Sequence, residues 1–215
     1  MLFSTLFFDL DATLYPPSNG LWDEIRNRIF QYMREEVGLP QEEIPSIRDR
    51  YWKTYGTTLE GLRIHHGVDP DDYLKYVHQI PLDEYLSQDP ELNLLLSELP
   101  QDLWIFTNAD RRHAEAVLEV LDIREHFSGI VDLLAMDFAI KPKPEAYQIA
   151  LEIADEKDPS QCILFDDLLQ NLLAAKKFGF TTVLVGGNEP IDGIDFQIPT
   201  IHKTREVLPH LWLNS

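Results

Sequence analysis

The sequence predicts an α/β fold: a Rossmann-like parallel sheet sandwiched by helices, with a small helical cap inserted after the first strand. Three observations predict it. Residues 2–8 form an apolar run that reads as a buried strand and leads directly into Asp9 and Asp11. From residue 81 onward helices and strands alternate, the order that right-handed crossovers turn into parallel pairing. Between these, residues 17–80 carry helical periodicity and no convincing strand. The expected division is a core domain of residues 1–16 and 81–215 and a helical cap of residues 17–80.

Taken in order, the cap opens with apolar side chains at Leu21, Trp22, Ile25, Ile29, Phe30 and Met33, one face of an amphipathic helix that Gly38 and Pro40 end. Helices are expected at residues 44–55 and 59–65. A further one at 70–77 is started by Asp69 as N-cap and Pro70 in the first turn. Pro16-Pro17 and Pro81 are stiff points of exit and re-entry. The core then reads as helix 90–99, strand 102–107, helix 109–121, strand 130–134, helix 144–154, strand 162–165, helix 168–178 and strand 181–185. A final edge strand near 198–201 and a closing helix at 204–211 complete it.

Composition narrows the partners. Eighteen basic residues against thirty-seven acidic ones give a formal charge of -19, which opposes binding to polynucleotides and anionic lipid surfaces. A small anionic ligand is not excluded, because salt screens the global field beyond roughly 8 Å while a bound cation and one lysine act at closer range. Cys162 is the single cysteine, so no internal disulfide forms. No basic-then-apolar leader and no bilayer-length apolar run is visible, and a cytoplasmic protein, monomer or homodimer, is expected.

Chemistry concentrates at the strand ends. Asp9 and Asp11 fall on the same side of an extended chain and repel each other unless a cation lies beside them, so the pair suggests a metal site, an acid/base pair, or both. The strand at 104–106 ends in Thr107-Asn108, the one at 163–165 ends in Asp166-Asp167, and Lys141-Pro142-Lys143-Pro144 opens the helix before it. Carboxyl ends of parallel strands share one edge of a sheet, so these groups are expected to converge on Asp9 and Asp11.

Asp-Leu-Asp-Ala-Thr, then Phe-Thr-Asn-Ala-Asp, Lys-Pro-Lys-Pro-Glu, and Phe-Asp-Asp followed by Ala-Ala-Lys-Lys-Phe-Gly, resemble the haloacid dehalogenase superfamily of phosphohydrolases in that family's order, over residues 9 to 179. The cap and the run Tyr51-Trp52-Lys53-Thr54-Tyr55-Gly56-Thr57-Thr58-Leu59-Glu60-Gly61-Leu62 resemble its pyrimidine 5′-nucleotidase branch. The resemblance implies Mg2+-dependent hydrolysis of a small phosphomonoester, UMP or CMP, with the cap as a lid. Asp9 would be the nucleophile and Asp11 the general acid and base. Thr107 and the backbone around Asn108 would hold phosphoryl oxygens, and Lys141 would place positive charge beside Asp9 and the phosphate. The metal would take Asp9, the Asp11 carbonyl and Asp167, with Asp166 in or next to the same site. A carboxylate approaching a phosphate dianion at 4 Å is repelled by about 4 kcal/mol at an effective dielectric of 20, which a divalent cation and a lysine would cancel.

Other readings attach to the same residues. Hydrolytic dehalogenation uses such a nucleophile without a metal, and would leave Asp11 and Asp167 as unneeded charges. Another phosphatase substrate, such as a sugar phosphate or phosphoglycolate, and a weakly catalytic phosphate-binding regulator are the remaining alternatives. Where many relatives carry a serine and then an acidic residue after the paired aspartates, this chain has Leu168 and Asn171. Lys143 is expected to face solvent. His65-His66, adjacent and therefore divergent on a helix, are read as surface or packing groups, and Trp22, Trp52 and Tyr55 as core.

Overall fold

β1 (Thr5–Phe8) is buried at all four positions, which is why an unbroken Thr-Leu-Phe-Phe rather than an alternating pattern encodes it. In the computed structural model, which describes residues 3–187 and 191–212, it lies inside a six-stranded sheet. The other strands are β2 (Asp102–Phe106), β3 (Gly129–Val131), β4 (Cys162–Asp166), β5 (Thr181–Val185) and β6 (Phe196–Ile198). Their order is β3-β2-β1-β4-β5-β6, every pairing parallel. The chain thus builds outward from β1 in both directions, and the reversal leaves a crevice at the carboxyl ends of β1 and β4, where open α/β sheets bind ligands. Register sets what meets there: Phe8 pairs with Ile105 and Phe165, and Phe106 with Val131, so Asp9, Thr107 and Asp166 emerge at one edge.

Two compact units divide the chain: Met1–Asn19 with Leu86–Ser215, and Gly20–Tyr85. The first holds the sheet and the helices α5 (Pro90–Ser97), α6 (Arg111–Leu121), α7 (Pro144–Ile153), α8 (Leu169–Phe178) and α9 (Thr204–Val207). Its core is aromatic: Phe8 stacks on Phe165 at 4.6 Å, and Phe7 meets Phe106 and Phe180 at 6.0 and 5.8 Å. No described helix is long and apolar enough to cross a membrane.

The second unit is helical: α1 (Leu21–Glu35), α2 (Ile44–Tyr55), α3 (Thr58–His66) and α4 (Pro70–Val77). Thr57 caps α3 by accepting the Glu60 N–H at 3.1 Å, and Asp69 caps α4 through the Asp72 N–H at 3.0 Å. A side chain at Gly61 would place Cβ 2.2 Å from the Tyr51 ring, so α2 and α3 approach at a distance only glycine allows.

Several elements differ from the sequence expectation. Leu2, at the start of the expected first strand, lies outside the described residues, and β1 begins at Thr5. β3 stops at Val131 instead of reaching 134, because the buried Asp132 carboxylate accepts the N–H groups of Arg111, Leu134 and Ala135 and turns the chain out of the sheet. Helix α6 begins at Arg111, since Asp110 is its cap rather than part of it. The last strand sits at Phe196–Ile198, and the closing helix ends at Val207, after which Pro209 begins a short 3-10 turn. Trp22 and Trp52 are not core: they are 44% and 39% exposed. Leu21, Ile25, Ile29, Tyr32 and Met33 define the buried stripe of α1, and Trp22 stands one residue off it.

Candidate active site

The site begins where β1 ends. The Asp9 N–H donates to the Phe165 carbonyl at 2.8 Å, a last sheet-like bond that anchors the residue beside β4. The chain then turns sharply. Ala12 takes a left-handed φ of 62° and the Leu14 N–H closes onto the Leu10 carbonyl at 3.0 Å, which brings the Thr13 hydroxyl to 3.3 Å from Asp9 Oδ2.

Lys141 is the hub. Its side chain is fully buried, and Nζ donates to Asp9 Oδ1 at 2.9 Å and to Asp166 Oδ2 at 2.7 Å, above the Phe106 ring at 4.9 Å. Burial works against its charged form, but Asp166 and Asp9 outweigh it and hold the ammonium above its ordinary pKa. Asn108 fixes the Lys141 backbone from both sides: Asn108 Nδ2 donates to the Lys141 carbonyl, and the Lys141 N–H donates to Asn108 Oδ1, each at 2.9 Å. The Asn108 amide is therefore engaged with the Lys141 loop. Thr107, buried at the end of β2, accepts the Ala109 N–H at 3.0 Å and keeps its hydroxyl proton for another acceptor.

Asp9, Asp166 and Asp167 offer oxygens that all lie within 4.8 Å of one another. They are not equivalent. Asp166 is wholly buried and accepts Lys141 Nζ, Asn171 Nδ2 at 3.0 and 3.1 Å, and the Leu168 N–H at 2.8 Å. Asp167 is half-buried, and burial with the neighbouring Asp166 charge pushes its carboxyl up to about 7 against the pull of Lys141. Burial, with Asp166 and Asp167, likewise raises Asp9 well above the carboxylate range, opposed by Lys141. A donor set made only of carboxylate oxygens with mutual repulsion suits a hard divalent cation, so the residues present fit Mg2+.

The Asp11 side chain is not part of that acidic group. Its Oδ1 lies 2.8 Å from His113 Nε2 and also accepts the Tyr15 hydroxyl. Burial disfavours the His113 cation, but Asp11 and Asp110 outweigh it and raise the imidazole pKa. Neither His113 nor Tyr15 stood out in the sequence. The available signal was positional: His113 lies in the first turn of the helix that follows Thr107, and that end of the helix faces the sheet edge carrying Asp9. Of the remaining expected groups, Lys143 is exposed at the start of α7, as its expected solvent-facing role requires. His65 and His66 bond Tyr55 and Tyr51 at 2.7 and 2.9 Å within the helical unit.

A family model described as haloacid dehalogenase-like hydrolase matches residues 3–179. Phosphate metabolism protein 8 of Saccharomyces cerevisiae is 27% identical over 194 residues, 83% of this chain, and the chain spans 60% of that protein's length. Among solved structures, a phosphatase of the same family from Thermococcus onnurineus is similar with a TM-score of 0.65 at 17% identity, covering 94% of this chain and 96% of its own. L-2-haloacid dehalogenase from Xanthobacter autotrophicus is similar with a TM-score of 0.61 at 16% identity, covering 95% and 97%.

Proposed function

The chain belongs to the haloacid dehalogenase-like hydrolase family, and from that premise we propose that it is a Mg2+-dependent phosphomonoester hydrolase that works through an aspartyl-phosphate on Asp9. The observation that carries this reading is the buried Lys141 bridging Asp9 and Asp166, with the Asp167 carboxylate in the same cluster. A nucleophilic carboxylate held between a lysine and a cation-binding pair suits attack on an anionic phosphoryl group. Dehalogenation has no use for the Asp167 charge, and the likeness to the Xanthobacter enzyme is one of fold.

In the proposed reaction a carboxylate oxygen of Asp9 bonds to phosphorus as the bond to the leaving oxygen breaks, and Asp11 gives that oxygen its proton. Asp11 then takes a proton from water, whose oxygen bonds to phosphorus while the Asp9–phosphorus bond breaks, returning free carboxylate and inorganic phosphate. Lys141 offsets charge at Asp9, and the Thr107 hydroxyl with the Asn108 backbone holds phosphoryl oxygens. Mg2+, held by Asp9, Asp167 and the Asp11 carbonyl, would supply charge neutralisation at the phosphoryl group. Asp166, with its oxygens already accepting Lys141, Asn171 and the Leu168 N–H, holds Lys141 in place.

The substrate class we propose is pyrimidine nucleoside monophosphates, on the strength of the run 51–62 in the helical unit. A panel of phosphomonoesters, assayed with Mg2+ and with chelator, tests both levels. Metal-dependent phosphate release highest on UMP or CMP is expected. Equal turnover of purine and pyrimidine nucleotides would reject the substrate class, and no turnover of any monoester would reject the hydrolase.

A further inference from the structure

Asp11 sits in a tight turn and remains partly exposed, with 18% of its side chain accessible, yet its Oδ1 is gripped by two donors. One, Tyr15, belongs to the same turn. The other, His113, comes from α6, is buried to 3% exposure, and is separated from Asp11 by 102 residues. Its own position is built: the Asp110 carboxylate, 1% exposed, accepts the N–H groups of Arg112 and His113 at 2.9 and 3.3 Å and sets the first helical turn. A histidine that only filled space would not need a ring nitrogen aimed at a carboxylate of another segment.

We propose that His113 is the positioning residue for Asp11, its Nε2–H donating to Oδ1 and holding the carboxyl in the rotamer from which the leaving oxygen is protonated. The inference rests on the phosphomonoesterase reading, in which Asp11 is the acid. General acid catalysis needs the acid within roughly 2.6–3.2 Å of the receiving atom, and a partly exposed carboxyl samples several rotamers unless the donors around it select one. An oxygen that already accepts two hydrogen bonds is a poor place for a proton, so the transferred proton is assigned to Oδ2. As the phosphorus–oxygen bond of the substrate breaks, that proton moves to the departing oxygen and Oδ2 is left as carboxylate, with Oδ1 still held.

The test compares kcat/KM for a nucleoside 5′-monophosphate, whose alkoxide must be protonated, with kcat/KM for 4-nitrophenyl phosphate, whose leaving group departs without a proton. This quantity ends at release of the alcohol or phenol, before the water step, and the ratio within one preparation is independent of how much enzyme is folded. His113→Leu is expected to lower the ratio of nucleotide to aryl activity about tenfold or more. His113→Gln, whose amide can donate from nearly the same place, is expected to restore most of it. A wild-type enzyme active on both esters, with the ratio unchanged in His113→Leu, overturns the role of His113 and leaves the hydrolase reading standing. A wild-type enzyme active on neither overturns both.

Discussion

Lys141 Nζ lies 2.7 Å from Asp166 Oδ2 with no solvent access to either side chain, and the same ammonium reaches Asp9 at 2.9 Å. One cation thus joins the ends of β1 and β4. Removing it would leave two buried carboxylates facing each other. Lys141→Met is expected to destabilise the fold by about 3–5 kcal/mol and to reduce kcat by at least about a hundredfold. Lys141→Arg is not expected to rescue it, because the planar guanidinium does not fit a site packed around a compact ammonium. Urea denaturation and phosphate-release assays on the same preparations check both.

Asn171 lies in the first turn of α8, and its amide donates to both oxygens of Asp166. An amide can donate there and a carboxylate cannot. Asn171→Asp replaces two hydrogen bonds by a buried like-charge contact, and a loss of about 1–3 kcal/mol is expected in chelator-treated protein. A melting temperature equal to wild type under those conditions would show that Asn171 does not support Asp166.

In the helical unit, Gly61 is the point of closest approach, with room for no Cβ beside the Tyr51 ring. Gly61→Ala forces α2 and α3 apart and is expected to cost about 1–3 kcal/mol despite the better helix propensity of alanine. Thermal unfolding followed by circular dichroism checks it; a neutral or stabilising result would contradict the packing.

The Asp195 carboxylate accepts the Thr182 N–H and hydroxyl at 3.0 and 2.8 Å and Lys176 Nζ at 2.8 Å. Burial acts to raise its pKa, but Lys176 and Thr182 outweigh it and hold it below the usual carboxylate value. A folded-state pKa below the unfolded one contributes stability that is present above the unfolded value of about 3.9 and is lost as pH falls through the folded value. Asp195→Asn is therefore expected to be less stable than wild type at pH 7, by about 1 kcal/mol or less given the side chain's exposure, with the two converging below about pH 4. A gap that stays constant or widens with acid would contradict the assignment. Chemical denaturation across pH measures it.

The sheet edge was legible because each strand end carries its own polar pair: Asp9 with Asp11, Thr107 with Asn108, Asp166 with Asp167. Parallel order then brings them together without any knowledge of contacts. What the chain order did not disclose depends on side chains meeting across long separations. Asn108 closes on Lys141 over 33 residues and His113 on Asp11 over 102. The end of β3 is not visible in the sequence because residues 130–134 are mostly apolar, and the turn is made by the carboxylate of Asp132, which reads locally as one polar residue in that run. Trp22 is exposed where its hydrophobicity suggests core, because hydrophobicity alone does not resolve one residue of helical phase.

The central claim is that Asp9 carries the phosphoryl group. The most direct measurement is borohydride trapping during turnover of the best nucleotide substrate with Mg2+, followed by peptide mass spectrometry, since reduction of an acyl phosphate converts the aspartate to homoserine. Homoserine at position 9, absent without substrate and absent in Asp9→Asn, is the predicted result. Continued turnover with no reduced carboxyl at position 9, or with the label on another residue, would contradict it.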